Sequence, residues 1–332
     1  MKAGLRSTAL GVSATAFRMA ERLGGGLGTR VLMRHRFVFD ESRADSLNRL
    51  RRELAWLKAN FTVISLSDFS DGLIRDSLPD NALIFTTDDV HLDVFEVFEV
   101  FREFEMPLSM FVPLGWTASL PPSLRGTLIE AVTLLQWYEG EPISIDFGKG
   151  ENISISETSR SESIDWLLDH GERLAGDLPE LCDRLAALPG SHVRRQTKRT
   201  TCSWEELEQM NAAGVEMASH SISHPRLSQM STRRRRFELI ESKRVIETHF
   251  GPCSAFAYPY GTPDSHSDAS RQSLEEAGYS CAFLTHSDVV TTTSPRFSLP
   301  RICIPDSPIP FNEFRARTRG GGIILQRVRK DS

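Results

Sequence analysis

The chain has 332 residues, 40% hydrophobic and 25% charged, an ordinary globular balance that excludes a disulfide-held miniprotein, wholesale disorder and a collagen-like repeat. Its 39 Lys and Arg stand against 44 Asp and Glu, a formal net charge of −5, so no global basic field draws it to nucleic acid or to an anionic bilayer. At about 150 residues per domain, the length allows one large α/β barrel or two smaller units.

In the first thirty residues, Lys2 and Arg6 precede an apolar run from Ala9 to Phe17. Ser13 and Thr15 interrupt that run and Arg18, Glu21 and Arg22 follow it, so the segment reads as a short amphipathic helix ending near Gly24 to Gly26. The glycines are a linker and not a phosphate loop, because no Gly-Lys-Ser/Thr follows. No run reaches the roughly 18 apolar residues that a membrane-spanning helix needs. Cys182, Cys202, Cys253, Cys281 and Cys303 are odd in number and scattered, which suits a reducing compartment and makes the cytoplasm the expected location.

From there the pattern alternates. Val31 to Met33 predicts a strand, and Leu47, Leu50, Leu54 and Leu57 predict a helix over 46–58. Phe61 to Leu66 and Ala82 to Thr86 predict buried strands, Val94 to Phe104 a helix, and Leu108 to Val112 a further strand. Between Trp116 and Lys198 this rhythm is lost. Ile143 to Phe147 and Ile153 to Ile155 alternate with period two around Gly148-Lys149-Gly150, a hairpin, and helical patterns centre on Ile164 to Leu168 and Leu181 to Leu188. The whole stretch reads as an α+β insertion.

The alternation resumes with the capping box Ser203-Trp204-Glu205-Glu206, which opens a helix ending near Gly214. A strand over Val215 to Ser219 leads to His220. A long helix from Ser231 to Phe250, with Phe237, Ile240, Val245 and Ile246 inward, stops at Gly251-Pro252. A strand over Ala255 to Tyr258, a helix over Arg271 to Ala277, and strands at Ser280 to Leu284 and Leu299 to Ile304 complete the set. Arg233 to Arg236 reads as the exposed start of the long helix and not as a nucleic-acid patch. Trp116 and Trp137 suit either stacking on sugar rings or the core.

Three strand ends gather reactive residue types. Thr86-Thr87-Asp88-Asp89-Val90-His91 places two mutually repelling carboxylates side by side, which a cation would relieve, although Asp is also a common helix N-cap. His220-Ser221-Ile222-Ser223-His224 sets two imidazoles four residues apart, able to converge on one ion. Catalytic zinc typically takes three His or carboxylate ligands and keeps one position open. Tyr258-Pro259-Tyr260-Gly261 forms a restricted turn whose Tyr260 amide is placed to meet a developing oxyanion.

The order and strand-end placement of these motifs resemble the polysaccharide deacetylase family, the NodB-homology group of carbohydrate esterases, whose motifs read T-F-D-D-G, H-[ST]-x-x-H and P-Y-G. Asp88-Asp89, His220-Ser221 with His224, and Pro259-Tyr260-Gly261 match, and Leu108 to Gly115 and Gly214 to Leu227 resemble the flanking text. The likeness spans about 31–305, interrupted at about 116–198, between the segment 1–30 and a C-terminal tail at 306–332. It implies a distorted (β/α) barrel of seven strands with the site at their carboxyl ends.

The resemblance further implies a metal-dependent hydrolase that removes acetyl groups from an N- or O-acetylated polysaccharide or oligosaccharide. Asp89, His220 and His224 would hold a divalent metal, usually zinc, and Asp88 would be the base that activates a water there. The Tyr260 amide would share the oxyanion charge, with Pro259, Tyr260 and Arg301 lining the substrate. Arg301 would also orient Asp88. The acid that protonates the leaving group is often a His in a C-terminal L-x-H motif, and some relatives carry it on the first strand. His35 is therefore the first choice, with a purely structural histidine as its plain alternative, and His286 in Leu284-Thr285-His286 is the second. The chain departs from the family pattern at Val90 where Gly is usual, at His91, at Arg34, and in lacking the Arg often found before Pro259. Val90, His91 and Arg34 keep open a second reading, a catalytically impaired glycan-binding or assembly protein, and the weak case for export keeps open a third, a hydrolase of small amides on the same scaffold.

Overall fold

A computed structural model describes residues 28–39, 42–146, 152–156, 159–171, 173–189 and 199–320. The expected N-terminal amphipathic segment and the Gly148-Lys149-Gly150 turn lie outside the described residues. Seven parallel strands run in the spatial order β10 (Ile302–Cys303), β1 (Arg30–Met33), β3 (Ala82–Asp88), β4 (Ser109–Val112), β7 (Glu216–Ser219), β8 (Ala255–Ala257) and β9 (Cys281–Phe283), and a short β2 (Thr62–Val63) pairs with the start of β3. The residues ahead of β10 draw the two edges together: Leu284 N–H donates to Leu299 O at 2.8 Å and Arg301 N–H to His286 O at 3.1 Å, while β10 pairs with β1. The expected distorted barrel is what forms.

Alternate residues of each strand face opposite sides, and both sides are buried, which explains the continuous apolar runs in the sequence. Val31, Ile84, Phe111, Ala218, Ala255, Ala257 and Phe283 fill the interior, large side chains opposite small ones. Leu32, Phe85, Met110, Met217 and Phe256 point outward beneath the helices. Each fully buried Phe contributes on the order of 1.5–3 kcal/mol.

Those helices are α1 (Arg43–Asn60), α3 (Leu92–Glu103), α7 (Trp204–Ala212), α8 (Thr232–Phe250) and α9 (Asp268–Glu276). The Ser203–Glu206 capping box forms in both directions, and Gly251 at φ 101° ends α8. Ile240, expected inward on α8, is 40% exposed, because the buried face of that helix runs through Glu238, Leu239, Ser242, Val245 and Ile246.

The strand expected over Phe61 to Leu66 ends at Val63. Ser65 Oγ accepts from Asp68 N at 3.0 Å, and this cap starts α2 (Leu66–Arg75), local hydrogen bonding that overrides the β-branched run before it. Helix α2 plugs the amino end of the barrel: Phe69 is fully buried with its ring centroid 5.7 Å from that of Phe283.

Within residues 116–198 lie α4 (Leu128–Gln136), the antiparallel pair β5 (Ile143–Asp146) and β6 (Asn152–Ile155), α5 (Arg160–His170) and α6 (Leu178–Ala187). Helix α4 is apolar nearly all round, so its periodicity is weak in the sequence. These five elements enclose their own core of Val132, Leu135, Ile155, Ile164, Leu167 and Leu181. The Arg run at the start of α8, expected to be exposed, is so only at Arg233 and Arg236; Arg234 and Arg235 are buried, because their guanidiniums find side-chain and carbonyl acceptors, and Arg233 and Arg234 tie this unit down. Arg233 pairs with Asp169 at 2.7 Å, Arg234 reaches Gln136, Arg235 donates to Met230 O, and Arg236 pairs with Glu276. Beyond the barrel, α10 (Phe311–Thr318) docks through the fully buried Phe314, whose ring centroid lies 6.0 Å from that of Trp56. No helix among the described residues is long and apolar enough to cross a membrane.

Candidate metal centre

The carboxyl ends of the strands deliver the reactive groups to one place. Asp88 is the last residue of β3, and the chain then turns through Asp89 at φ 68° and Val90 at φ 47°. The turn therefore does demand the left-handed region at the position where the family pattern has Gly. Val90 accepts that conformation because its side chain is fully buried and its carbonyl takes the Cys202 N–H at 2.8 Å.

The second group follows β7. Ser221 at φ 72° and His224 at φ 54° bend the backbone so that both imidazoles turn toward Asp89. Glu238, fully buried on α8, fastens this bend: its carboxylate accepts Ile222 N–H and Ser223 N–H, each at 2.9 Å, and the Ser223 hydroxyl. His220 Nδ1 lies 2.7 Å from Ala257 O, an arrangement in which Nδ1 is the donor and Nε2 keeps its lone pair. Burial pulls the His220 pKa down to about 4, against the attraction of Asp88, so the ring is neutral at pH 7.

Asp89 Oδ1 stands 3.5 Å from His220 Nε2 and 3.3 Å from His224 Nε2. Ligand atoms of Asp89, His220 and His224 all lie within 4.8 Å of one another. Burial raises the Asp89 pKa, but the close approach of His224 and the neighbouring imidazoles outweighs it and holds the carboxyl well below its usual range. Two imidazoles and one carboxylate, converging with a buried Asp89 Oδ1 that has no good hydrogen-bond donor, fit a divalent ion of the zinc type.

Beside this triad, Arg301 grips Asp88 from the approach to β10. Nη1 donates to Oδ1 at 2.8 Å and Nη2 to Oδ2 at 2.7 Å, both side chains being buried, and Nε donates to Leu284 O at 3.0 Å. Burial raises the Asp88 pKa, while the Arg301 charge, with His220 behind it, more than reverses this and keeps the carboxylate ionised. Both of its oxygens retain lone pairs for a further donor.

His35 stands on the other side, just after β1. Its Nε2 is 3.8 Å from Asp89 Oδ2, and its Nδ1 is 3.0 Å from Asp306 Oδ2. Asp306 also accepts the backbone N–H groups of His35 and Arg36 at 3.0 and 3.1 Å, which fixes the loop and the ring together. Burial lowers the His35 pKa, but the Asp306 hydrogen bond and the charges of Asp88, Asp306 and Asp89 raise it above the ordinary value. Asp306 was not singled out in the sequence.

At the third motif, Tyr260 has φ 65° and its N–H meets no acceptor among the described residues. Its ring packs on His224 at 4.9 Å between centroids, with the Arg226 guanidinium 4.3 Å from the ring centroid. Gly261, at φ 62°, lies so close to Thr285 that a Cβ would fall 2.4 Å from Thr285 Cγ2. Pro259 is buried at the start of this turn. Trp116 packs on His224 at 4.2 Å, while Trp137 donates to Ser223 O at 3.1 Å, so both tryptophans support the second motif.

Arg34 turns away from the site. Its guanidinium pairs with the fully buried Glu53 of α1 at 2.8 Å, so this departure from the family pattern belongs to the core. His91 remains near the site, its ring centroid 6.5 Å from that of His35, with its pKa lowered by burial. His286 is exposed and contributes its carbonyl to Arg301 N–H.

Comparison with known proteins agrees with this geometry. Residues 187–282 match the family model described as polysaccharide deacetylase. No curated protein matches the chain. Among solved structures, the Streptococcus pyogenes deacetylase PplD in complex with acetate superposes with a TM-score of 0.56 at 15% identity, over 88% of this chain and 99% of that one. IcaB from Ammonifex degensii gives 0.56 at 17%, over 89% and 98%, and the BpsB deacetylase domain from Bordetella bronchiseptica gives 0.51 at 18%, over 84% and 96%. The likeness to these structures is one of fold. Together with the matched segment, which contains the His220–His224 motif, it gives this chain the fold of these deacetylases and, over residues 187–282, a likeness to the polysaccharide deacetylase family.

Proposed function

We propose that this chain is a metal-dependent deacetylase that hydrolyses acetyl groups from an N- or O-acetylated glycan. The observation that carries this reading is the convergence of Asp89, His220 and His224 beside an Asp88 clamped by Arg301, with His35 opposite. A bound divalent metal supplies Lewis acidity that lets a water lose its proton near neutral pH. Asp88 accepts that proton, and Arg301 holds the carboxylate in place. The Tyr260 N–H is free to donate to the carbonyl oxygen as charge develops on it. His35 gives a proton from Nε2 to the departing amine or alkoxide, while Asp306 holds Nδ1 and stabilises the imidazolium.

The departures at Val90 and Arg34 do not argue for an impaired centre, since the first is accommodated in the turn and the second serves the core. The metal test is direct. The protein loaded with zinc is expected to carry one equivalent, His220→Ala to carry none, and a chelator to abolish acetate release from acetylated oligosaccharides. A protein that binds glycan but neither metal nor acetyl ester would be a binding module. Release of ammonia from small amides without acetate release would assign it to amide hydrolysis instead.

The dyad makes a pH prediction. A raised His35 pKa means that its contact with Asp306 contributes stability fully below the unfolded imidazole value of 6.5 and loses it as pH rises through the folded value. Asp306 is lowered, by His35 and by the two backbone N–H groups against the opposing effect of burial. Its contribution is therefore present above 3.8 and lost as pH falls through its folded value. Asp306→Asn is expected to shift the alkaline limb of kcat/KM to lower pH, measured as acetate release across pH. An unmoved limb would remove His35 from the acid role.

A further inference from the structure

The second and third motifs are joined by a residue that belongs to neither. Arg226 follows the ligand His224 in the same loop, and the chain on both sides of it is fixed, since His224, Pro225 and Leu227 are all buried. Its guanidinium lies 4.3 Å from the centroid of the Tyr260 ring, and Nη1 donates to the Thr262 hydroxyl at 3.1 Å and to Asp264 Oδ2 at 3.0 Å. One side chain from the metal-ligand loop thus touches the Tyr260 turn at residues 260, 262 and 264. Ser228 adds a further tie, its hydroxyl donating to Asp264 O at 2.5 Å.

That turn needs holding. Tyr260 is a bulky residue at φ 65°, a conformation that persists only where the surroundings impose it. Its ring is 43% exposed, so burial alone does not impose it. Thr285 secures the carbonyl side, its N–H and its hydroxyl each meeting Gly261 O at 2.9 Å. Thr285 comes from the segment after β9, however, and that contact does not register the turn against the metal ligands. His224 and Arg226 do so, through the ring. The ion pair adds little to this, because the Asp264 side chain is 67% exposed, so the stacking and the Thr262 bond carry the clamp.

We infer that Arg226 is a positioning residue for the reaction, setting the place of the Tyr260 N–H relative to Asp89, His220 and His224. This rests on the proposed deacetylase reading, in which that N–H meets the charge developing on the carbonyl oxygen. A donor aimed at that oxygen contributes far more to the transition state than to bound substrate, so loosening it lowers kcat and spares KM. The loss is equal for an amide and for an ester, since both pass through a tetrahedral oxyanion. Loss of the leaving-group proton falls on the amide alone.

The test compares the zinc-loaded wild-type protein with Arg226→Gln and Arg226→Lys on the N-acetylglucosamine trimer and on 4-nitrophenyl acetate, whose leaving group needs no proton. Arg226→Gln is expected to keep one equivalent of zinc and to lose about ten-fold or more in kcat on both substrates, with KM within about two-fold of wild type. Arg226→Lys keeps a cation at the Tyr260 ring and should recover part of that loss, which replacing a mere space-filler would not do. Crystal structures of the wild type and of Arg226→Gln read the turn without turnover. Tyr260 is expected to leave its left-handed conformation or its place on His224, with the metal ligands unmoved. Wild-type kcat in Arg226→Gln, a loss confined to the trimer, or an unmoved Tyr260 would overturn the inference. A wild type that releases no acetate from either substrate sinks the deacetylase reading instead, and the two structures then decide alone whether Arg226 holds the turn.

Discussion

Asp88→Asn is expected to lower kcat for acetate release by about 10²–10⁴-fold, the usual contribution of a general base, while leaving one equivalent of metal bound. Metal retention follows because Asp88 stands outside the triad of Asp89, His220 and His224. Stability should fall as well. Arg301 is fully buried and its two terminal nitrogens bond Asp88 at 2.8 and 2.7 Å, so neutralising the carboxylate leaves a buried cation short of its partner. Breaking such a pair from one side typically costs about 3–5 kcal/mol, reduced here because the Asn oxygen still accepts one of the two bonds. Arg301→Met tests the same pair from the other side. It leaves a buried anion whose pKa rises, so the acid limb of the pH profile should move upward. The double variant should recover stability relative to either single one and recover no activity, since the two residues form one unit. Denaturant unfolding and metal analysis on the same samples separate these outcomes. Loss of metal from Asp88→Asn would mean that the carboxylate is a ligand and the assignment of base and ligand is reversed.

What the sequence makes legible here is what is local along the chain. Asp88-Asp89, His220-x-x-x-His224 and Pro259-Tyr260-Gly261 each occupy a few consecutive residues at a strand end, so residue type and predicted strand together locate them. The partners that complete the site come from far away. Arg301 meets Asp88 across 213 positions and Asp306 meets His35 across 271, and no periodicity reports such a meeting. Arg301 was legible only because it follows Leu299-Pro300 at the start of an expected strand. Asp306 sits just past the end of that strand, where a carboxylate faces the same rim, and this position was the available signal. The fold shows the same division. Strands buried on both faces stand out as apolar runs, whereas α2 was hidden because Ile64 and the Thr62–Val63 pair look β-prone until the Ser65 cap is weighed. In the C-terminal tail expected at 306–332, Phe311 and Phe314 stand three apart and dock on Trp56.

Glu238 marks the position where reasoning from charge alone fails, and it carries the second large expected effect. It lies on α8 at the same face as Ser242, Val245 and Ile246, spaced by 4, 7 and 8 residues, so an ionisable group falls in the middle of a buried stripe. That placement makes sense only through the loop it holds. Glu238→Ala strips the acceptor from Ile222 N–H, Ser223 N–H and the Ser223 hydroxyl, three buried donors, each costing about 1–3 kcal/mol when orphaned. The loop would relax toward solvent before paying all three, and Ser221 and His224 would be the first to leave their left-handed conformations. The imidazole pair then loses its preset spacing, and metal affinity is expected to fall by about 10–100-fold, as it does when groups that orient ligands are removed. Glu238→Gln should restore much of this, since its carbonyl oxygen still accepts both amides and its NH2 group meets the Ser223 oxygen. Competition with a chromogenic chelator for zinc gives the affinity, and thermal unfolding without metal gives the structural cost separately. An alanine variant that binds zinc as tightly as the wild type would show that the His220–His224 bend is held by its own backbone and by Trp116 and Trp137, not by α8.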